Sequence, residues 1–338
     1  MVRRISVPVL RSATTCAVLL ATALAAAGIG ASADAGDAGA APTATWVLQN
    51  PATSPPGTQE GAMAFDAALN ETVLFGGSPG TGTSTWGWNG TTWSVLTTKG
   101  PAARKDMQMV YDAATQSIVL FGGFSSTGHG YSDTWTFDGT WHKQAPTNVP
   151  TTVLGYGMAY DAANQTVVMA GGERTSQNGM TWVWDGSDWH GNRSVPYPST
   201  ALGLTDPTMA YDPVLGKIVL FGGITGLVDQ ATTWEWDGST WTEVATATTP
   251  PARRAAASVY DAALGGVVMV DGIGGVVKGT TLLNGTWRFD GTTWTRLRSG
   301  SAGPSARAFA QMDLDPSGHV LLFGGLTDAG AAGDTWLL

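Results

Sequence analysis

A unit of about fifty residues is written six times along this chain, and a period of that length leaves few folds open, because each copy must bury its apolar faces against other copies. An aromatic residue or Leu followed by Asp recurs as Phe65-Asp66, Tyr111-Asp112, Tyr160-Asp161, Tyr211-Asp212, Tyr260-Asp261 and Leu314-Asp315. An apolar run then ends in a glycine pair at Gly76-Gly77, Gly122-Gly123, Gly171-Gly172, Gly222-Gly223 and Gly324-Gly325, with Asp271-Gly272 as the exception. Trp86, Trp135, Trp182, Trp234, Trp287 and Trp336 follow. All but the last lead into Asn-Gly or Asp-Gly and a further tryptophan.

Each unit reads as four short strands. In the first, Met63, Met109, Met158, Met209 and Met312 stand two residues before the aromatic or Leu position, so both side chains share one face. Small residues such as Ala64, Ala159 and Ala210 occupy the other face, so the large face of one copy fits the small face of its neighbour. The regular spacing of the methionines makes them core filling rather than copper ligands. The second strand (Val73 to Phe75, Ile118 to Phe121, Ile218 to Phe221, Val320 to Phe323) is apolar throughout and needs cover on both sides. Asn-Gly and Asp-Gly suit a two-residue hairpin between strands three and four. A four-stranded sheet covered on both faces by its own copies predicts an all-β fold, a six-bladed β-propeller. The last unit stops before its fourth strand, while Thr45-Trp46-Val47 precedes the first unit without strands of its own. The N-terminal strand is therefore expected to close the last blade.

The strand-one aromatic, the glycine doublet and the spaced tryptophan resemble the kelch repeat, from about Thr45 to Leu338. That resemblance, including one to the central domain of galactose oxidase, implies a ligand on the face that carries the glycine doublets. Galactose oxidase is a copper radical enzyme that needs a cysteine crosslinked to tyrosine. Here the one cysteine is Cys16, ahead of the repeats, so that activity is not carried over and no cofactor or metal is expected.

Arg3, Arg4 and Arg11, an apolar run from Ala17 to Ala27 and Ala31-Ser32-Ala33 read as a signal peptide over 1–33. A flexible spacer over 34–43 and a propeller over 44–338 follow. The expected location is secreted, extracellular or at a bacterial cell surface, without membrane insertion once the signal is cleaved. A net charge of −9 repels phosphate backbones, so no nucleic-acid partner is expected. A monomer is expected.

Chain direction puts both Asp-rich turns of every unit on one face, where capping of backbone amides accounts for the acids. The opposite face collects the candidate binding residues Arg104, Lys105, Tyr156, Glu173, Arg174, Asp206, Arg253, Arg254, Asp271 and Arg307. The charges thus separate by face, and an arginine-bearing loop surface on a rigid scaffold fits a non-enzymatic module that binds a glycan or an extracellular protein. The alternative is a sugar-modifying enzyme similar to sialic acid mutarotase, in which Glu173 and Arg174, an adjacent acid and arginine, handle a carboxylated sugar. The four histidines fall at unrelated positions of the repeat, and no catalytic residue is assigned.

Overall fold

The computed structural model describes residues 43–151, 154–173, 180–192, 204–275, 279–299 and 303–338. The expected signal peptide and all but the last residue of the spacer lie outside them. Among the described residues the regular elements are strands, and they form six four-stranded antiparallel blades.

Blade one comprises Gln59–Asp66, Glu71–Ser78, Thr85–Trp88 and Trp93–Thr97. Blade two comprises Gln108–Asp112, Ser117–Phe121, Thr134–Phe137 and Trp141–Lys143. Blade three is Leu154–Asp161, Thr166–Glu173, Thr181–Trp184 and Trp189–Asn192. Blade four is Thr208–Asp212, Lys217–Phe221, Thr233–Trp236 and Trp241–Val244. Blade five is Ala257–Asp261, Gly266–Val270, Thr286–Phe289 and Trp294–Arg296. Blade six takes Gln311–Leu314, Val320–Phe323 and Thr335–Leu337 from the end of the chain and Val47–Gln49 from its beginning, with Leu48 opposite Trp336. The closure read from the sequence is present. It is also reinforced: Thr43 and Ala44 pair in parallel with Arg298 and Ser299, just beyond blade five, so one short segment ties two blades together.

Six apolar clusters hold the blades, one at each interface around the ring. Ala62 and Ala64 of blade one meet Met107 and Met109 of blade two, the small-against-large fit that the alternation predicts. Second-strand residues such as Val73, Leu74 and Phe75 are fully buried because both sheet faces are covered. A polar bond crosses each of the same six interfaces. The indole N–H of every fourth-strand tryptophan donates to the threonine that opens strand three of the preceding blade: Trp93 to Thr335, Trp141 to Thr85, Trp189 to Thr134, Trp241 to Thr181, Trp294 to Thr233 and Trp46 to Thr286, all at 2.8–3.0 Å.

The turns follow the chemistry of Asp, with one difference. Asp66, Asp112, Asp212 and Asp261 are buried, and each accepts hydrogen bonds from the amides two and three residues ahead, as capping requires. Between strands three and four, Trp88 pairs with Trp93, leaving residues 89–92 between them, more than a two-residue loop. Asn89 begins that loop, where its side-chain oxygen takes the amides of Thr91 and Thr92. The Asn or Asp is thus a cap, and the glycine after it supplies the positive φ.

Candidate functional site: the axial cavity

The first strand of each blade faces the axis, and together the six enclose a cavity of about 440 Å³. At the glycine-doublet end, one residue per blade takes the left-handed conformation: Glu60, Asp106, Gly155, Asp206, Ala255 and Phe309, with φ between 53° and 66°. Main-chain bonds link these residues around the axis. Asp106 N–H donates to Glu60 O (2.9 Å), Asp206 to Gly155 O (2.6 Å), Ala255 to Asp206 O (2.9 Å), Phe309 to Ala255 O (3.0 Å) and Glu60 to Phe309 O (3.2 Å). A conformation disfavoured for most side chains is held in place because five of the six steps around the ring are hydrogen-bonded.

Three members of this ring are acids. Burial pushes the Asp106 carboxyl up to about 7, with the negative charges of Glu60 and Asp206 adding to the effect and Lys105 opposing it. The Lys105 ammonium lies 2.7 Å from Glu60 and 3.7 Å from Asp106. Deeper in, Asp313 lines the cavity at a position that other blades fill with Ala64, Val110, Ala159, Ala210 and Val259. Its carboxylate accepts the Leu314 N–H at 2.7 Å, and burial lifts it to about 6. At the Asp-turn end the wall is aromatic: Phe65, Tyr111, Tyr160, Tyr211 and Tyr260. The described residues lining the cavity include no Lys, Arg or His.

Three of the arginines expected to face a ligand are buried instead. Arg104, Arg253 and Arg307 are 3%, 2% and 1% exposed. Arg104 donates to Gly122 O and forks onto Asp133, and Arg307 donates to Gly324 O and forks onto Asp334 at 2.7 and 2.9 Å. Arg253 donates to the carbonyls of Pro251 and Asp271. Arg254 is paired with Asp229, and Lys105 with Glu60. A buried guanidinium needs a counter-charge or carbonyls, and the acids come from the same face. The expected separation of charge by face is therefore corrected: acids and arginines intermingle at the glycine-doublet end, and these arginines bolt its loops together. Tyr156 is also buried, its hydroxyl donating to Phe121 O at 2.5 Å. Asp271 is buried with its carboxyl raised to about 7 by desolvation, and it accepts the Gly285 N–H at 3.2 Å. Among the described residues of the expected set, Tyr156 and Asp206 line the cavity. Arg174 lies outside the described residues; Glu173 is described by its main chain, opposite Leu154.

No protein-family model matches this sequence, and no curated protein is similar to it. Among solved structures, one titled "Structure of YjhT" matches with a TM-score of 0.66 at 14% identity, over 84% of this chain and 95% of that chain. The fold is a six-bladed β-propeller. The cavity acids outside the expected set are Glu60, Asp106 and Asp313. Asp313 was hidden between Met312 and Leu314, both of which fit the repeat; its signal is an acid where the other copies carry Ala or Val. Among the described residues no cluster of three His, Cys, Asp or Glu is arranged to hold a metal ion.

Proposed function

We propose that this chain is a secreted, non-enzymatic binding module whose ligand is a glycan held in the axial cavity, and not on the buried arginines. The carrying observation is the cavity itself: about 440 Å³, within the ~300–1,000 Å³ of small-molecule sites, with acceptor carboxylates at one end and aromatic side chains at the other. Hydroxyl groups of a sugar suit the first and its C–H faces suit the second. A glycan array screened with the wild type and with the Asp106→Ala, Asp206→Ala double variant tests this. Sugar binding by the wild type and its loss in a folded double variant are expected; undiminished binding by the variant would move the site elsewhere. Similarity in fold to YjhT leaves room for an isomerase acting through Glu173 and Arg174. Sialic acid anomer exchange followed by NMR is expected to proceed at its uncatalysed rate, and acceleration abolished by Glu173→Gln would favour that enzyme.

A further inference from the structure

Resting on the axial-cavity reading, we propose that Asp313 and the aromatic collar beside it select a sugar bearing an unacylated amine, with the ammonium group seated at the Asp313 carboxylate.

A repeat protein shows its specialised positions where one copy departs from the rest. At the Asp313 position the departures of size are small and the departure of charge is complete: the other five copies are Ala or Val. A carboxylate in a partly buried wall is costly unless it is used, and the main-chain amides of Leu314 and Phe65 hold it but bring no opposite charge. No basic side chain among the described lining residues neutralises it. One residue further along the strands stands the collar of Phe65, Tyr111, Tyr160, Tyr211 and Tyr260. The face of an aromatic ring attracts a cation, and three of these rings are anchored by their hydroxyls: Tyr160 accepts the Ala114 N–H at 3.1 Å, and Tyr111 and Tyr211 accept from the amides of Ala68 and Ala163. An acidic sugar would meet Glu60, Asp106, Asp206 and Asp313 within one cavity. An acetylated amino sugar would fit but leave the Asp313 charge unmatched. A free amine satisfies both the carboxylate and the collar.

The test is calorimetric titration of the whole mature protein with chitosan-type glucosamine oligomers, their N-acetylated counterparts and oligoglucuronate of equal length. Glucosamine oligomers are expected to bind about tenfold or more tighter than the acetylated ones, and glucuronate to bind weakest, tenfold being about 1.4 kcal/mol. Asp313→Asn, which keeps an oxygen for the Leu314 amide, should erase that preference by lowering affinity for the glucosamine oligomers about tenfold or more. Asp313→Ala, the residue that blades one, three and four carry, provides a second variant compatible with the fold. Equal affinity for amine and acetylated oligomers in the wild type, or a preference that survives both Asp313 variants, would overturn the inference and leave the cavity as a glycan site. Binding of no sugar at all would instead bring down the proposed function.

Discussion

The indole Nε1 of Trp46 donates to Oγ1 of Thr286 at 2.9 Å, across 240 residues of chain. It is the sixth copy of a bond that the other five blades make between neighbours, and the copy in which the N-terminal segment supplies the tryptophan. Trp46 is buried against Val268, Val320 and Trp336, so the bond sits within an apolar seam.

Removing that tryptophan should therefore cost what a core aromatic costs. Trp46→Ala is expected to destabilise the protein by about 3–5 kcal/mol and deletion of 44–49 by more, because the deletion also bares the Thr335–Leu337 edge. A double-mutant cycle between Trp46→Phe and Thr286→Val should give a coupling of about 0.5–1.5 kcal/mol. An unaltered melting temperature after the deletion would mean that the ring does not depend on its first strand.

The buried arginines predict a separation of stability from binding. Arg307→Met leaves Asp334 without its forked partner and should destabilise the fold by about 3 kcal/mol. Ligand affinity of the folded fraction should not change, since the guanidinium does not reach the cavity or the surface. Denaturant melts combined with titration of a bound glycan decide this: lost affinity at full stability would restore the arginine to the ligand.

The left-handed ring makes a prediction in the opposite direction. Ala255 holds φ +53°, a conformation that costs a side chain roughly 1 kcal/mol and glycine little. Ala255→Gly should leave stability unchanged or raise it by up to about 1 kcal/mol, whereas Gly→Ala at Gly76, where a Cβ would lie 2.5 Å from Arg104 O, should be severely destabilising. Chemical denaturation of both variants checks the sign.

Asp313 ties stability to pH. Its carboxyl is raised to about 6 from the usual 3.8, so the folded state favours the protonated form. That contribution is complete below about pH 4 and is lost as the pH rises through 6. Relative to the wild type, Asp313→Asn should gain stability between pH 4 and 7 and hold that gain at higher pH. Melting curves of both proteins across this range would show a constant offset if the group did not titrate there.

The repeat made the blades legible because period, alternation and turn residues all point the same way. The closing strand was legible from a tryptophan left over after the other copies were placed. The glycine-doublet end was not, because the partners of its arginines return late in each unit: Asp133 is 29 residues after Arg104 and Asp334 is 27 after Arg307. A signal was nonetheless present. Those two acids precede the same Thr-Trp pair, and where blade five has Gly285 instead, the acid moves into the doublet as Asp271. Asp271 thus stands beside Arg253, which donates to its carbonyl, and the charges of Arg307 and Arg253 oppose the rise in its pKa. Asp313 escaped because a periodic reading explains the residues on either side of it and passes over the one between.

The pairing of Val47–Gln49 with Thr335–Leu337 also sets a timetable. During synthesis the strand Val47–Gln49 has no strand to pair with until Thr335–Leu337 arrives. Until then the growing molecule is an arc with two raw ends, and a stalled or truncated chain would keep both of them bare.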